Sequence, residues 1–416
     1  MGKGAEFLFK DELKALLFEA APDSAEARLV RALSERGAAT ANDLSRATGL
    51  ARSTISTVLA DLRRVKVVVE THGASPSRGV GRPAASFALN PESGTCVGLH
   101  LSLSEVRMMV ADVSHSVITE QNIPLARDYA PAAATETAKL AIKRAFKSEG
   151  LSLRTLLGVG VSISGPVAPN GRVQRASILP TWAGVNIPEV FGRALELPVF
   201  ADNESNCAAI AEMTYGAALG VQDFIYFTVD LGVGGAVVSR GRVLTGVAGA
   251  AGEFGHMTID PHGELCRCGN RGCLELAASL RPALAAASRL FDRDVEIEEL
   301  ATLAREGDVG CARLVADTAD IAGRGLGMIG AILNPGLIVI GGAAALAGGV
   351  FMDSLVASYE KHTLIKREDV PKEQQVRIVA ARFPRKAALM GATALVLRER
   401  PVAAARSFAA SHSVIS

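Results

Sequence analysis

Residues 252–275 read GEFGHMTIDPHGELCRCGNRGCLE, and three of the six cysteines of the chain fall between positions 266 and 273. Clustered thiols in a chain without a disulfide-permissive context favour a metal over disulfides. His256, Cys266, Cys268 and Cys273 make one imidazole and three thiolates, a set suited to tetrahedral zinc. Four protein ligands close the coordination sphere, so a Zn2+ held there is expected to be structural. Gly269 and Gly272 would let the backbone fold tightly enough for three sulfurs to converge. His262 is a competing donor, and His256 is preferred because it stands beside Glu253 in the glycine-framed part of the segment. Reduced, unmetallated thiols are the alternative. Cys96, Cys207 and Cys311 are scattered and read as small core residues.

The rest of the composition sets the class. The 416 residues carry 44 basic and 43 acidic groups, a formal net charge of +1, with 49% hydrophobic residues. That length predicts two or three domains with buried cores, and the balance predicts a soluble α/β chain. Near-neutral charge argues against a protein that coats nucleic acid, but not against a local basic module. The opening MGKGAEFLFKDELK carries charges where a signal peptide needs an apolar core. The apolar stretch LIVIGGAAALAGGV is too short and glycine-broken to span a bilayer, so a cytoplasmic protein is expected.

Residues 25–90 are such a basic module. SAEARLVRALSERG predicts a helix ended by Gly37; TANDLSRATGL predicts a second, with Thr40 as N-cap and Gly49 as its end. ARSTISTVLADLRR predicts a third, with Ile55, Val58, Leu59 and Leu62 inward. The spacing is that of a helix-turn-helix. Its outward Arg52, Ser53, Thr54, Ser56 and Thr57 suit phosphates and base edges. VKVVVETHG and AASFALN alternate like two strands of a wing, joined by ASPSRGVGRPA with Arg78 and Arg82, a loop fit for a minor groove. A plain three-helix bundle with a solvated linker is the bland reading. Six basic groups against two acidic ones from 51 to 90 weigh against it. Residues 1–24 hold an amphipathic helix, FLFKDELKALLFEA, expected to pack on a partner surface.

From about 95 strands and helices alternate. TCVGLHLSLSEVRMMVADV predicts a hairpin turning at Ser102–Glu105, LLGVGVSISGPV a buried strand, LPVFADNESNCAAIAEMTYG a strand entering a helix, and DFIYFTVDLGVGGAVVSRGRVL a second hairpin. GLGMIGAILNPGLIVIGGAA predicts a helix, a turn, a strand and a glycine loop. A two-lobed α/β domain with a cleft is the expectation for residues 95–400, followed by an Ala- and Ser-rich tail at 401–416.

The segment at 252–275, with ISGPV before it and LNPGLIVIGG after it, resembles the ROK family of repressors, open reading frames and sugar kinases, over roughly residues 25–400. The resemblance implies an actin-like (ribonuclease-H-like) two-lobed domain behind a winged helix-turn-helix, as in xylose and N-acetylglucosamine repressors. It implies a homodimer or a dimer of dimers, and a sugar held by Asn203, Glu204, Glu253, His256 and Glu275, with Trp182 near it. Carboxylates accept sugar hydroxyls, Asn both donates and accepts, and His256 can ligate zinc with one nitrogen and donate with the other. By themselves Glu204 or Glu275 would read as surface carboxylates, and Trp182 as core.

Against kinase chemistry, the resemblance exposes three departures. Where family kinases open the ATP site with Asp-x-Gly-Gly-Thr, this chain has His100 and Ser102-Leu103; in the second phosphate loop Asp230-Leu231 replace Gly-Thr. Phosphate-cradling backbone tolerates side chains and added negative charge poorly. NESN replaces Asn-Asp-Ala-Asn, so Glu204 stands one methylene longer than the base it would replace. The expectation is therefore a repressor with no enzyme activity, binding palindromic operator DNA as a dimer and answering to a small sugar as inducer or corepressor. The alternatives are an ATP-dependent sugar kinase and a regulator controlled by a partner instead of a ligand.

Overall fold

A computed structural model describes residues 5–71, 85–174 and 178–399. The chain divides into two compact units, one running to Asp202 and resuming at Leu389, the other spanning Asn203–Ala388.

The first unit opens with α1 (Ala5–Phe18), α2 (Ala25–Arg36), β1 (Ala39–Thr40), α3 (Ala41–Thr48) and α4 (Arg52–Arg64). The end of α2 and both ends of α3 are the capping residues expected from sequence. Gly37 ends α2, Gly49 ends α3 in the left-handed conformation, and Thr40 starts α3 in a capping box with Asp43. Ile55, Val58, Leu59 and Leu62 are buried on α4, closing a small core with Leu29, Val30, Leu33 and Leu44. β2 (Val68–Thr71) and β3 (Ser86–Leu89) pair antiparallel, as the alternation predicted, and β1 adds a third strand in the order β1-β3-β2. The α1 expectation is corrected in part: Leu13, Leu17 and Phe18 are buried within this chain. Phe18 lies 5.9 Å from Phe200 between ring centroids.

Next comes a five-stranded sheet in the order β6-β5-β4-β7-β8. It consists of β4 (Thr95–Leu101), β5 (Glu105–Asp112), β6 (Val117–Pro124), β7 (Leu156–Ile163) and β8 (Val199–Asn203), with α5 (Pro131–Ser148) and α6 (Ile187–Leu195) in the connections. β4 and β5 form the expected hairpin, closed by Ser102 N–H donating to Glu105 O at 3.1 Å. β4 and β7 are parallel and buried throughout, which is why their sequences lack a polar phase.

The second unit holds α7 (Glu204–Tyr215) and a sheet of β9 (Phe224–Val229), β10 (Val233–Ser239), β11 (Arg242–Val243), β12 (Leu337–Gly341) and β13 (Arg377–Ala380), ordered β11-β10-β9-β12-β13. The hairpin at β9/β10 is antiparallel, and β12 runs parallel to both β9 and β13. Between them run α8 (Leu274–Ala278), α9 (Leu280–Phe291), α10 (Ile297–Glu306), α11 (Val309–Leu333) and α12 (Gly349–His362). Their apolar faces share one core with β9 and β12. Glu212, fully buried on α7, accepts from the backbone N–H of Ala217, Arg382 and Phe383 at 2.7, 3.1 and 2.9 Å. Three amide donors satisfy a carboxylate that would otherwise cost several kcal/mol to bury.

The last helix, α13 (Ala387–Arg398), returns to the first sheet. A Cβ on Gly160 of β7 would stand 1.8 Å from the Ala392 carbonyl oxygen, so this contact admits only glycine. No helix among the described residues is long and apolar enough to cross a membrane.

Candidate functional site

The segment 252–275 folds into a compact loop ahead of α8. A short 3-10 turn at Phe254–His256 presents His256, and single bridges join Thr258 to Cys273 and Leu265 to Arg271. Gly272 has φ +56°, and a Cβ there would stand 1.7 Å from the Asp260 carbonyl. Only glycine permits that approach, and it carries Cys273 back toward His256. The four expected donor atoms lie within 4.8 Å of one another. His256 Nδ1 is 3.7 Å from Cys266 Sγ, and Cys268 Sγ is 3.6 Å from Cys273 Sγ. Zn–S bonds of about 2.3 Å in a tetrahedron require S···S edges of about 3.8 Å, so the spacing fits a metal of zinc's size.

The thiols are unevenly poised. Burial pushes Cys273 up to about 12. At Cys268 burial acts the same way, but hydrogen bonding from the Asn270 backbone and the neighbouring thiols outweighs it and leaves the group below the usual thiol range. A divalent cation resolves such a set by deprotonating all three. The competing donor His262 is exposed and stands outside the cluster. Cys96, Cys207 and Cys311 are buried singly, as expected of core residues.

Carboxylates adjoin the donors. With Nδ1 turned toward the thiols, His256 directs Nε2 at Glu253, whose Oε2 is 3.9 Å away. Glu275, two residues after Cys273 on α8, accepts from Val233 N–H at 3.2 Å. Glu204 opens α7. Burial raises Glu253 to about 7, Glu204 and Glu275 add to the rise, and Arg267 opposes it. Burial lowers His256 from its ordinary value, against the pull of Glu275. Glu253 thus feels both Glu204 and Glu275, and His256 feels Glu275. Asn203 has a structural duty as well: its Oδ1 caps α7, accepting from Ser205 N–H at 2.7 Å and Asn206 N–H at 3.4 Å. Arg267, absent from the sequence-derived set, stands between two of the metal donors with Nε 3.4 Å from Glu275 Oε1. Its only signal in the sequence was a basic residue inside a cysteine cluster.

Trp182 is completely buried, edge-on to Tyr129 and stacked on Phe191 in the core of the first unit. The positions that set the chain apart from phosphate-binding loops are engaged internally. His100 Nδ1 lies 3.2 Å from Ser162 Oγ in a buried pair. Asp230 Oδ1 accepts from Leu231 N–H at 2.8 Å; Oδ2 accepts from Ala343 N–H at 3.0 Å and from Arg385 Nη1 at 2.8 Å.

On α4, Arg52, Ser53, Ser56 and Thr57 are exposed and Thr54 is half-buried. The Thr57 hydroxyl donates to Ser53 O at 3.2 Å. Arg78 and Arg82 lie outside the described residues.

Comparison with known proteins gives the chain a family setting. The profile of the ROK family matches residues 96–399. A xylose repressor of Caldicellulosiruptor bescii is 27% identical over 375 residues, covering 86% of this chain and 91% of that protein. N-acetylmannosamine kinase of Citrobacter koseri is 37% identical over 199 residues, or 48% of this chain and 65% of that one. Among solved structures, a ROK family transcriptional regulator described as a homologue of E. coli MLC aligns at TM-score 0.71 and 22% identity, covering 94% and 96% of the two chains.

Proposed function

The chain belongs to the ROK family, and from that premise we propose that it is a sugar-responsive DNA-binding transcriptional regulator, a repressor of carbohydrate-metabolism genes in the cytoplasm. The single observation that carries this reading is α4, which buries Ile55, Val58, Leu59 and Leu62 while leaving Arg52, Ser53, Ser56 and Thr57 to solvent. Behind α3 and the turn at Gly49 it has the layout of a recognition helix, with β2 and β3 as the stem of a wing and residues 25–90 as the DNA-binding module. Arg78 and Arg82, in the sequence that joins β2 to β3, would reach the minor groove. The long match to a xylose repressor supports the same reading. So does the sensing region proposed for residues 95–400, two sheets in two compact units as an actin-like, two-lobed fold requires. In front of the module stands α1.

His256, Cys266, Cys268 and Cys273 would hold a structural Zn2+, which supplies a fixed cross-link and no open coordination position. His256 would be oriented by its Nδ1 bond and left to donate from Nε2. The 3.9 Å gap between Nε2 and Glu253 is wide for a direct hydrogen bond, and a sugar hydroxyl could bridge it. Glu204 and Glu275 would accept further hydroxyls, and Asn203, its oxygen already committed to α7, would offer its amide N–H. A homodimer would set two copies of α4 on a palindromic operator one DNA turn apart.

A kinase reading is favoured by the identity to N-acetylmannosamine kinase over 199 residues. Asp230 weighs against it, because a carboxylate bonded to Arg385 and two backbone amides leaves those donors committed and adds negative charge where a phosphate would need to bind. The deciding experiment is calorimetric titration of the zinc-loaded protein with D-xylose, D-glucose, N-acetyl-D-glucosamine and N-acetyl-D-mannosamine without nucleotide, beside an ATP phosphorylation assay on the same sugars. Binding without turnover, and release or tightening of a duplex selected from a random pool, is the expected result. Turnover would establish the kinase. Selected DNA bound with no response to any sugar would point to a partner-controlled regulator.

A further inference from the structure

Among the described residues, two contacts join the N-terminal helices to the remainder of the first unit. One lies at the end of α2. The buried Ser34 hydroxyl lies 2.9 Å from the Arg31 carbonyl of its own helix and 3.3 Å from the Leu397 carbonyl of α13, and His115, in the turn between β5 and β6, donates from Nε2 to the Ser34 carbonyl at 3.1 Å. The other lies at the end of α1, where Phe18 packs on Phe200, both rings nearly buried and tilted by 33°. These two joints differ in what they touch. Ser34 and His115 meet a helix end and a hairpin turn. Phe200 sits on β8, the edge strand of the sheet, and β8 runs on for three residues to Asn203.

That strand end is a sensitive place. Asn203 Oδ1 caps α7 at 2.7 Å from Ser205 N, and Glu204 is the first residue of the helix. A hydrogen bond of that length weakens steeply with small displacements or rotations of its acceptor. An edge strand has a sheet neighbour on one side only, so the pose of β8 depends on what packs over its side chains. At Phe200 the Phe18 ring packs on that face. We infer that Phe18 is a positioning residue: through Phe200 it sets the pose of β8, and so of Asn203 and Glu204, and couples that corner to the helices ending in α4. This rests on the reading in which Asn203 and Glu204 contact a sugar. Linkage makes the coupling reciprocal. A sugar that shifts the end of β8 must shift the Phe18 contact, and DNA bound on α4 must change sugar affinity by the same factor.

The test uses the full chain and hydrogen exchange read by mass spectrometry, first without any sugar. Phe18→Ala should speed exchange of peptides covering 199–206 by about tenfold, and Phe18→Leu should restore most of the protection, since a branched aliphatic side chain still fills the contact. Phe200→Ala should speed exchange in α1 and α2 from the other side. Unchanged protection of 199–206 in Phe18→Ala, with only α1 loosened, would overturn the proposal and leave Phe18 a simple anchor. If Phe18→Ala fails to fold, Phe18→Val, which keeps part of the side chain but loses the contact with the Phe200 ring, carries the same comparison. D-Xylose and D-glucose are then added. In the wild-type protein a bound sugar should alter exchange in α1 and α4, and in Phe18→Ala the change at α4 should vanish; its persistence also overturns the proposal. If neither sugar binds the wild-type protein, the sugar reading loses its support, while the exchange of 199–206 still decides the role of Phe18.

Discussion

Asp230 and Arg385, 155 positions apart, are joined at 2.8 Å by Nη1 donating to Oδ2, while Arg385 Nη2 reaches Glu298 at 2.6 Å. With Ala343 N–H on the same Asp230 oxygen, the carboxylate ties the β9–β10 turn to the glycine loop after β12 and to the segment before α13.

Replacing Asp230 by Asn removes the charge and sets an amide N–H against one of these donors. Hydrogen bonds to charged groups contribute about 1.5–3 kcal/mol, and partial exposure of this pair places the expected loss at the lower end. Urea unfolding measures it. A variant as stable as the wild type would show that the network is a surface ornament and would weaken the argument drawn from Asp230 against phosphate binding.

Cys268→Ser tests the metal centre. Three thiolates and an imidazole bind zinc far more tightly than two thiolates, an imidazole and a hydroxyl, so metal content measured after dialysis should fall from one equivalent to near zero. Because the loop from 256 to 273 orients Glu275, thermal stability and sugar affinity should fall together. Retention of a full equivalent of zinc with normal sugar affinity would refute the assignment of this residue.

A pH dependence follows from Glu253, which burial holds near 7 against an ordinary value of 4.5. The folded carboxyl keeps its proton where the unfolded one has lost it. The penalty is therefore absent below about pH 4.5, grows as pH rises toward 7, and is constant above that. A shift of this size amounts to roughly 3 kcal/mol at most. A zinc ion bound by three thiolates carries net negative charge and acts in the same direction. Glu253→Gln should gain stability relative to the wild type between pH 5 and 7.5 in urea unfolding, while losing sugar affinity. A constant difference across that range would mean that Glu253 titrates normally.

Much of this could be read from the chain because the signals were local. The ends of α2 and α3 are written in Gly37, Thr40 and Gly49, and the metal donors in a spacing of seventeen residues from His256 to Cys273. What escaped depends on distant partners. Glu212 looks like a solvated helix carboxylate until Arg382 and Phe383 arrive 170 residues later. Likewise, nothing near Asp230 announces Arg385. The polar run VITEQNIP forms β6 only because β5 offers it an edge. Arg267 carries no such signal, because a basic residue between two cysteines of a metal loop reads as part of that loop. The apolar face of α1 was legible, but its partner was not: periodicity shows that a face must be covered, never by what.

Arg52, at the first turn of α4, decides the DNA-binding reading. It is exposed, whereas the two arginines at the end of the same helix have acidic neighbours, Arg63 near Glu70 at 3.1 Å and Arg64 near Asp61 at 3.3 Å. Those pairs dilute the positive field at the far end of α4 and leave the helix start as the place where a phosphate or a base edge would be met. Arg52→Ala should weaken binding to a selected duplex and lower the slope of log affinity against log salt by about 1 if the contact is to phosphate. A contact to a guanine edge would instead leave the slope intact and cost about 1–3 kcal/mol at one base position only. Fluorescence anisotropy at three salt concentrations separates the two. Unchanged affinity at every salt concentration would remove α4 from the interface and, with it, the observation on which the regulator reading stands.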